Sequence, residues 1–312
     1  MRFWIIWGLR LTKGILNAAR AHWGLGDAPI TLIAARENQV FRVETIDGPT
    51  ALRLHRPGYR QANELRSELQ WMAMLAQNGI PVPHPFAALD GSQILVHGDT
   101  VVDLLSWLKG APLNSNDASK DVYFRLGKLV AQMHILADDW ILPTGFARPA
   151  WDLAGDHPSW GQFWNNPQLS ASERDLLVRF RDIARVKLAA LSQPDVGLIH
   201  ADLVPDNVLR DGDQLQPIDF DDGGFGYRLF DLATITYHSR RLDQTGGLAR
   251  ATLEGYSTVR LLDFAALPLF EALRACTYVG WNITRLNEDG GDVRNTRFIA
   301  AALANAAAVL TE

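Results

Sequence analysis

The sequence predicts an α+β protein, a small antiparallel sheet in the first third of the chain followed by a mostly helical remainder. Three observations carry that expectation. Short β-patterned runs separated by turn signals fill residues 30–55 and 93–104. After residue 120, apolar residues recur at helical spacing. A single hairpin pattern at 208–220 interrupts the helical part, with acids clustered around it.

The chain has 312 residues, enough for two lobes. Its 30 Lys and Arg against 35 Asp and Glu give a net charge of −5, which argues against a nucleic-acid surface. The single cysteine, Cys276, excludes an internal disulfide and a cysteine-based zinc site, so a reducing cytoplasm is expected. Residues 3–9 are very apolar but too short to span a bilayer, and they lack a signal-peptide pattern. No integral membrane association is expected. This run starts an amphipathic helix that continues through Ile15, Leu16 and Ala19 and packs on the N-terminal lobe. A peripheral contact through Trp4 and Trp7 is the other reading. Oligomeric state is not encoded in any pattern found.

From residue 30 the elements follow in order. Residues 31–34, 40–45 and 50–55 are three strands, with Asp47-Gly48-Pro49 turning the second connection. The first connection, residues 35–39, has no glycine; Asn38 at its tip offers an amide to a phosphate, or is simply part of a hairpin turn. In the third strand Ala51, Arg53 and His55 share one face, and Leu52 and Leu54 the other. Ala51 leaves room for a flat ring and Arg53 reaches phosphate oxygens, whereas a lone arginine there reads as surface. Residues 61–77 form a helix with Leu65, Leu69, Met72 and Ala76 on one face. Glu64 and Glu68 lie one turn apart. Glu68 is the one expected to pair with Arg53; a solvated helix face is its alternative.

Residues 93–96 and 100–104 complete the sheet, and the composition shift after 104 divides residues 1–104 from 105–312. A hinge here offers backbone groups around Ser106 and Leu108 to a ring. Residues 122–136 are helical, and His134 on that helix is a packing histidine. Residues 140–166, rich in Trp, Pro and Gly, read as an irregular substrate-side insertion. Residues 173–191 are a long amphipathic helix. Asp231 opens a later helix and is expected to hold a loop, and 250–310 is helical with Trp281 and Arg285 on one turn.

The hairpin fixes the chemistry. Residues 208–210 and 215–220 are its strands, and Asp211-Gly212 its turn. A hairpin sets its open ends side by side, so Asn207 returns next to Asp219. Asp202 lies five residues earlier, in a loop that Pro205 keeps from becoming a regular helix. Two carboxylates and an amide oxygen thus converge, a donor set that suits Mg²⁺ sharing its shell with phosphates. A surface hairpin carrying acids is the competing account.

Ile199-His-Ala-Asp-Leu-Val-Pro-Asp-Asn207, Ile218-Asp-Phe-Asp-Asp222 and Phe230-Asp-Leu-Ala233 resemble the aminoglycoside phosphotransferase and choline kinase superfamily. Leu52-Arg-Leu-His-Arg-Pro57, Gly79-Ile-Pro-Val-Pro83 and Val279-Gly-Trp-Asn-Ile-Thr-Arg285 extend the likeness over nearly the whole chain. The homoserine kinase type II and bacterial stress-response kinase branches look most similar. The resemblance implies a protein-kinase-like two-lobed fold with ATP and Mg²⁺. It makes Asp202 the catalytic base, Asn207 and Asp219 the metal ligands, and Arg53 with Glu68 the phosphate-orienting pair. Ala201 departs from the family by standing where glycine is usual. The expected activity is an ATP-dependent transfer of phosphate to a hydroxyl of a small molecule. A protein Ser/Thr kinase of the stress-response type, or a nucleotide-binding pseudokinase, are the alternatives.

Overall fold

The computed structural model describes residues 2–35, 38–152 and 160–311, with side chains from Lys13 onward at the N-terminal end. The chain separates into two compact units: residues 1–110 with 142–148, and residues 111–141 with 149–312.

The first unit begins with α1 (Arg2–Trp23), followed by β1 (Ile30–Ala35), β2 (Gln39–Thr45), β3 (Gly48–Leu54), α2 (Ala62–Gln77), β4 (Ile94–His97) and β5 (Thr100–Ser106). The strands form one antiparallel sheet in the order β1-β2-β3-β5-β4. Alternation along β3 decides its two faces. Leu52 and Leu54 enter a core with Phe41, Val43, Val102 and Leu104, onto which α1 lays Ile15, Ala19 and Trp23. The helix therefore packs as its apolar spacing predicts; the alternative contact through Trp4 and Trp7 falls on side chains outside those described. Among the described residues no helix is long and apolar enough to cross a membrane. A capping box starts α2, with the Glu64 carboxylate accepting the Gln61 N–H at 2.8 Å.

The second unit holds β6 (Ala111–Pro112), α3 (Lys120–Asp139), α4 (Ala171–Ala189), β7 (Val196–Ile199), β8 (Val208–Asp211), β9 (Gln214–Pro217), β10 (Gly224–Tyr227), α5 (Arg228–Leu242), α6 (Gly247–Ser257), α7 (Leu267–Trp281) and α8 (Gly291–Thr311). Helices α3 and α6 touch backbone to backbone. A Cβ at Gly127 or Gly255 would meet a carbonyl oxygen of the facing helix at 1.9 Å, so both positions need glycine. β10 pairs with β7, and β8 pairs with β6 on one side and β9 on the other.

Two expectations are corrected here. The return strand of the hairpin stops at Pro217 rather than Phe220, because Asp219 takes a left-handed backbone (φ 64°) that an extended strand cannot hold. The turn itself is Gly212-Asp213, one residue later than expected, with Gly212 at φ 58°. In the segment after Trp140, expected to be irregular, Trp151, Trp160 and Phe163 are buried in the second unit. There Trp151 and Trp160 lie 5.2 and 5.6 Å from the Phe230 ring.

Candidate active site

β7 delivers the chain to His200, where a buried carboxylate receives it. Asp231, in the first turn of α5, accepts the His200 N–H on Oδ2 (2.9 Å) and the Ala201 N–H on Oδ1 (2.7 Å). The same Oδ2 lies 3.1 Å from Nε2 of His134. A carboxylate only accepts, so His134 donates from Nε2, and its Nδ1 accepts the Tyr256 hydroxyl proton at 2.9 Å. Burial pushes the His134 pKa down, in keeping with that neutral form. Both expectations hold: His134 is a satisfied packing histidine, and Asp231 holds the loop.

Ala201 then adopts φ 66°. With Asp219 it is one of two non-glycine residues in the left-handed region among those described, a strain of about 1–2 kcal/mol each. The resemblance expects glycine at 201, and this backbone angle is the physical reason. Strain is thus concentrated beside Asp202 and at Asp219.

From there the side chains fix one another. His200 donates from Nε2 to the Ile218 carbonyl (3.0 Å) and accepts the Asp202 N–H on Nδ1 (3.3 Å), stapling the loop to the hairpin exit. The Asn207 NH₂ donates to the Asp202 carbonyl (3.0 Å) and to its Oδ2 (2.7 Å). Both partners are acceptors, so the amide orientation is forced and Oδ1 is its outward end. The Ile218 N–H donates to the Asn207 carbonyl (2.9 Å), so the residue after it, Asp219, follows directly on the hairpin mouth at Asn207. An amide oxygen and a carboxylate are hard donors and fit Mg²⁺ with water and phosphate completing its shell. Among the described residues no cluster of three or more His, Cys, Asp or Glu offers an all-protein metal site.

Arg274 on α7 was not anticipated. Its guanidinium donates to Asp202 Oδ1 (2.5 Å), to the Ala201 carbonyl (3.2 Å) and to the Tyr278 hydroxyl (2.6 Å). Tyr278 in turn donates to Nε2 of His238 (2.6 Å). Burial, with Arg274 and Arg241 nearby, pushes the His238 pKa down to about 3, so its imidazole is neutral and able to accept. Nothing in an apolar helix pattern marks one arginine as the partner of Asp202.

The first unit has its own buried charge cluster. Arg53 forks onto Asp103, Nε to Oδ1 at 2.9 Å and Nη2 to Oδ2 at 2.7 Å, and pairs through Nη1 with Glu68 at 2.9 Å. His55 Nε2 lies 2.7 Å from Asp103 Oδ2, and Arg148 Nη1 lies 3.4 Å from Glu68 Oε2. The expected Arg53–Glu68 pair is present, yet Arg53 is held by two carboxylates where one was anticipated. Asp103 was missed although an acid inside Val101-Val-Asp-Leu-Leu105 is a signal, and it faces Arg53 in register across β3 and β5.

The remaining predicted positions have partners of their own or lie at an element's end. Asn38 Oδ1 accepts the Arg56 N–H at 3.1 Å. Ser106 belongs to β5; its N–H goes to the His84 carbonyl and its Oγ accepts the His84 N–H, each at 2.8 Å. That N–H is thus engaged with the His84 carbonyl. Leu108 lies beyond the end of β5.

Burial is the largest single influence on the carboxyls of Glu68 and Asp103 and would raise both, but Arg53 and His55, joined by Arg148 at Glu68, together outweigh it and hold both below the ordinary range. Asp231 is held low against burial by its hydrogen bond from His134. A folded pKa below the unfolded one gives stability that is complete above about pH 4.5 and drains as pH falls toward the folded values. Urea midpoints measured from pH 7 to pH 3 should therefore drop steeply below about pH 4.5. Asp103→Asn should be less stable at neutral pH and show a flatter acid limb. An acid limb identical to that of the wild-type protein would remove Asp103 from this account.

Comparison with known proteins adds to this geometry. The model of a family described as "Phosphotransferase enzyme family" matches residues 29–270. Homoserine kinase of Mesorhizobium japonicum is 29% identical over 301 residues, 90% of this chain and 89% of its own length. Amicoumacin kinase of Bacillus subtilis is 23% identical over 232 residues, 72% and 67% of the two chains. The solved structure of a microcompartment-associated aminopropanol kinase superposes with a TM-score of 0.84 at 29% identity, covering 96% of this chain and 97% of that one. The kinase-like α+β fold expected from the sequence is the one found.

Proposed function

Since the chain belongs to the phosphotransferase enzyme family, we propose that it is a kinase moving the terminal phosphate of Mg-ATP to an alcoholic hydroxyl of a small molecule. The observation that carries this reading is the state of Asp202, whose two carboxylate oxygens are each held by one donor, Arg274 on Oδ1 and Asn207 on Oδ2. Each oxygen keeps lone-pair capacity, so the carboxylate is fixed in direction and still able to accept a hydroxyl proton.

In this reading Asp202 orients the acceptor hydroxyl and takes its proton as the bond to phosphorus forms. Asn207 Oδ1 and Asp219 are the metal ligands. When bound, Mg²⁺ supplies charge neutralisation for the nucleotide's phosphates. Arg53, held by Glu68 and Asp103, is the phosphate-orienting cation of the first unit, and the backbone near Leu108 is the contact for adenine. Phosphoryl transfer runs through a loose transition state, so positioning and neutralised charge do most of the work. Asp231 and His200 serve by holding the loop.

The test is ADP release across homoserine, aminopropanol, choline, aminoglycosides and a protein substrate. Turnover with one or more of the small hydroxyl compounds, and not with the protein, is expected. Phosphorylation confined to protein serine or threonine would overturn the small-molecule reading. Asp219→Ala should lose nucleotide-dependent turnover and Mg²⁺-dependent nucleotide binding together; binding that keeps its Mg²⁺ dependence would displace Asp219 as ligand.

A further inference from the structure

Arg53 meets carboxylates from two elements of the first unit, and the two contacts differ in kind. Asp103 of β5 accepts from Nε on Oδ1 at 2.9 Å and from Nη2 on Oδ2 at 2.7 Å, a fork of two N–H···O bonds. Glu68 of α2 brings Oε1 to 2.9 Å from Nη1, yet that oxygen accepts no hydrogen bond among the described residues. The first contact is directional and the second is one of charge. A charge contact fixes where a cation sits but leaves a planar group free to turn. Two parallel bonds to one carboxylate fix the plane as well.

Asp103 is itself well fixed. It is register partner to Arg53 across β3 and β5, so the ladder that joins the strands sets both ends of the fork. Its Oδ2 also lies 2.7 Å from Nε2 of His55, which shares a face of β3 with Arg53. A carboxylate only accepts, so His55 donates there. The neighbouring Val102 and Leu104 point into the sheet's other, apolar face. Asp103 is fully buried, and an acid in that place is costly unless both oxygens are satisfied. A lysine ammonium is a point charge without a fork and cannot satisfy them as Arg53 does.

We infer that Asp103 is a positioning residue for nucleotide binding: its fork sets the plane in which Arg53 meets the nucleotide's phosphates, and it makes arginine rather than lysine the cation this site requires. The inference rests on the phosphotransfer reading above and deepens it at one residue. Glu68 supplies countercharge, and His55 keeps the Asp103 carboxylate in place.

ATP and adenosine, each competed against a fluorescent ATP analogue with Mg²⁺ present, separate direction from mere stability. Asp103→Asn keeps the shape of the side chain but turns an NH₂ toward the Arg53 donors, so the fork is lost. Its Kd for ATP should rise about tenfold. Its Kd for adenosine should stay within about twofold of wild type, because adenosine has no phosphate for Arg53 to meet. Arg53→Lys should weaken ATP by a similar factor. The double variant Arg53→Lys, Asp103→Asn removes the same fork only once, so its loss should be about tenfold and not about a hundredfold. Each titration is made at a temperature where urea unfolding shows the variant folded. Should Asp103→Asn not fold, Asp103→Glu keeps the buried charge and displaces the fork by one methylene, and the same loss of ATP with adenosine unchanged is expected of it. ATP binding that survives the Asp103 substitution, adenosine binding that falls in step with ATP, or losses that multiply in the double variant overturn the inference. A wild-type protein that binds no ATP, or an Arg53→Ala protein that binds it as tightly as wild type, would overturn the reading of Arg53 beneath it, and the role of Asp103 with it.

Discussion

Asp202→Asn should lower the rate of phosphate transfer by about 10²–10⁴-fold while nucleotide binding persists. The substitution keeps the size of the side chain and removes its charge and half its accepting capacity. In the wild-type protein two donors converge on the carboxylate, Arg274 at 2.5 Å and the Asn207 NH₂ at 2.7 Å. An amide at 202 must turn its own NH₂ toward one of them, so one donor faces another donor. The acceptor hydroxyl then has no group to take its proton, and the loop loses a hydrogen bond. The nucleotide-facing groups are different side chains, so a fluorescent nucleotide titration should change little. Steady-state kcat and that titration together decide the matter. A kcat within about threefold of wild type would refute Asp202 as the base. A parallel collapse of nucleotide binding would mean that the loop, rather than the proton transfer, had failed.

The sequence made the second unit's loop readable because its signals are local. His200, Asp202, Asn207 and Asp219 sit within twenty residues, and a hairpin turn sets their register. Strand alternation in β3 likewise separated Arg53 and His55 from Leu52 and Leu54. What stayed hidden depends on distant chain segments. Arg274 reaches Asp202 across 72 positions, and its helix pattern shows only an apolar face with one cation in it. Arg148 approaches Glu68 across 80 positions, from residues 142–148 that return to the first unit. No periodicity announces that return. The β7–β10 pair was missed because four-residue strands rich in glycine carry almost no strand signal. Asp103 is the case where a signal existed and was passed over: an acid between valines and leucines in a strand needs a buried cation opposite.

Asp231→Ala should cost on the order of 3–6 kcal/mol of stability, a large share of the roughly 5–15 kcal/mol that holds a typical domain folded. Three donors depend on this one carboxylate: the His200 N–H, the Ala201 N–H and Nε2 of His134. All lie in the interior, where water cannot replace the lost acceptor. Ala201 also needs its N–H fixed to remain at φ 66°, an angle that alanine leaves unless something holds it. Releasing it lets Asp202 drift from Arg274, so activity should fall along with stability. Asp231→Asn separates charge from shape. One end of the amide still accepts, but the other becomes a donor set against the donors already there, so the isosteric change should cost nearly as much as alanine. Urea unfolding of both variants, read beside kcat at a temperature where each is folded, tests this directly. An Asp231→Asn protein within about 1 kcal/mol of wild type and with undiminished kcat would show that the loop before Asp202 keeps its shape without the carboxylate.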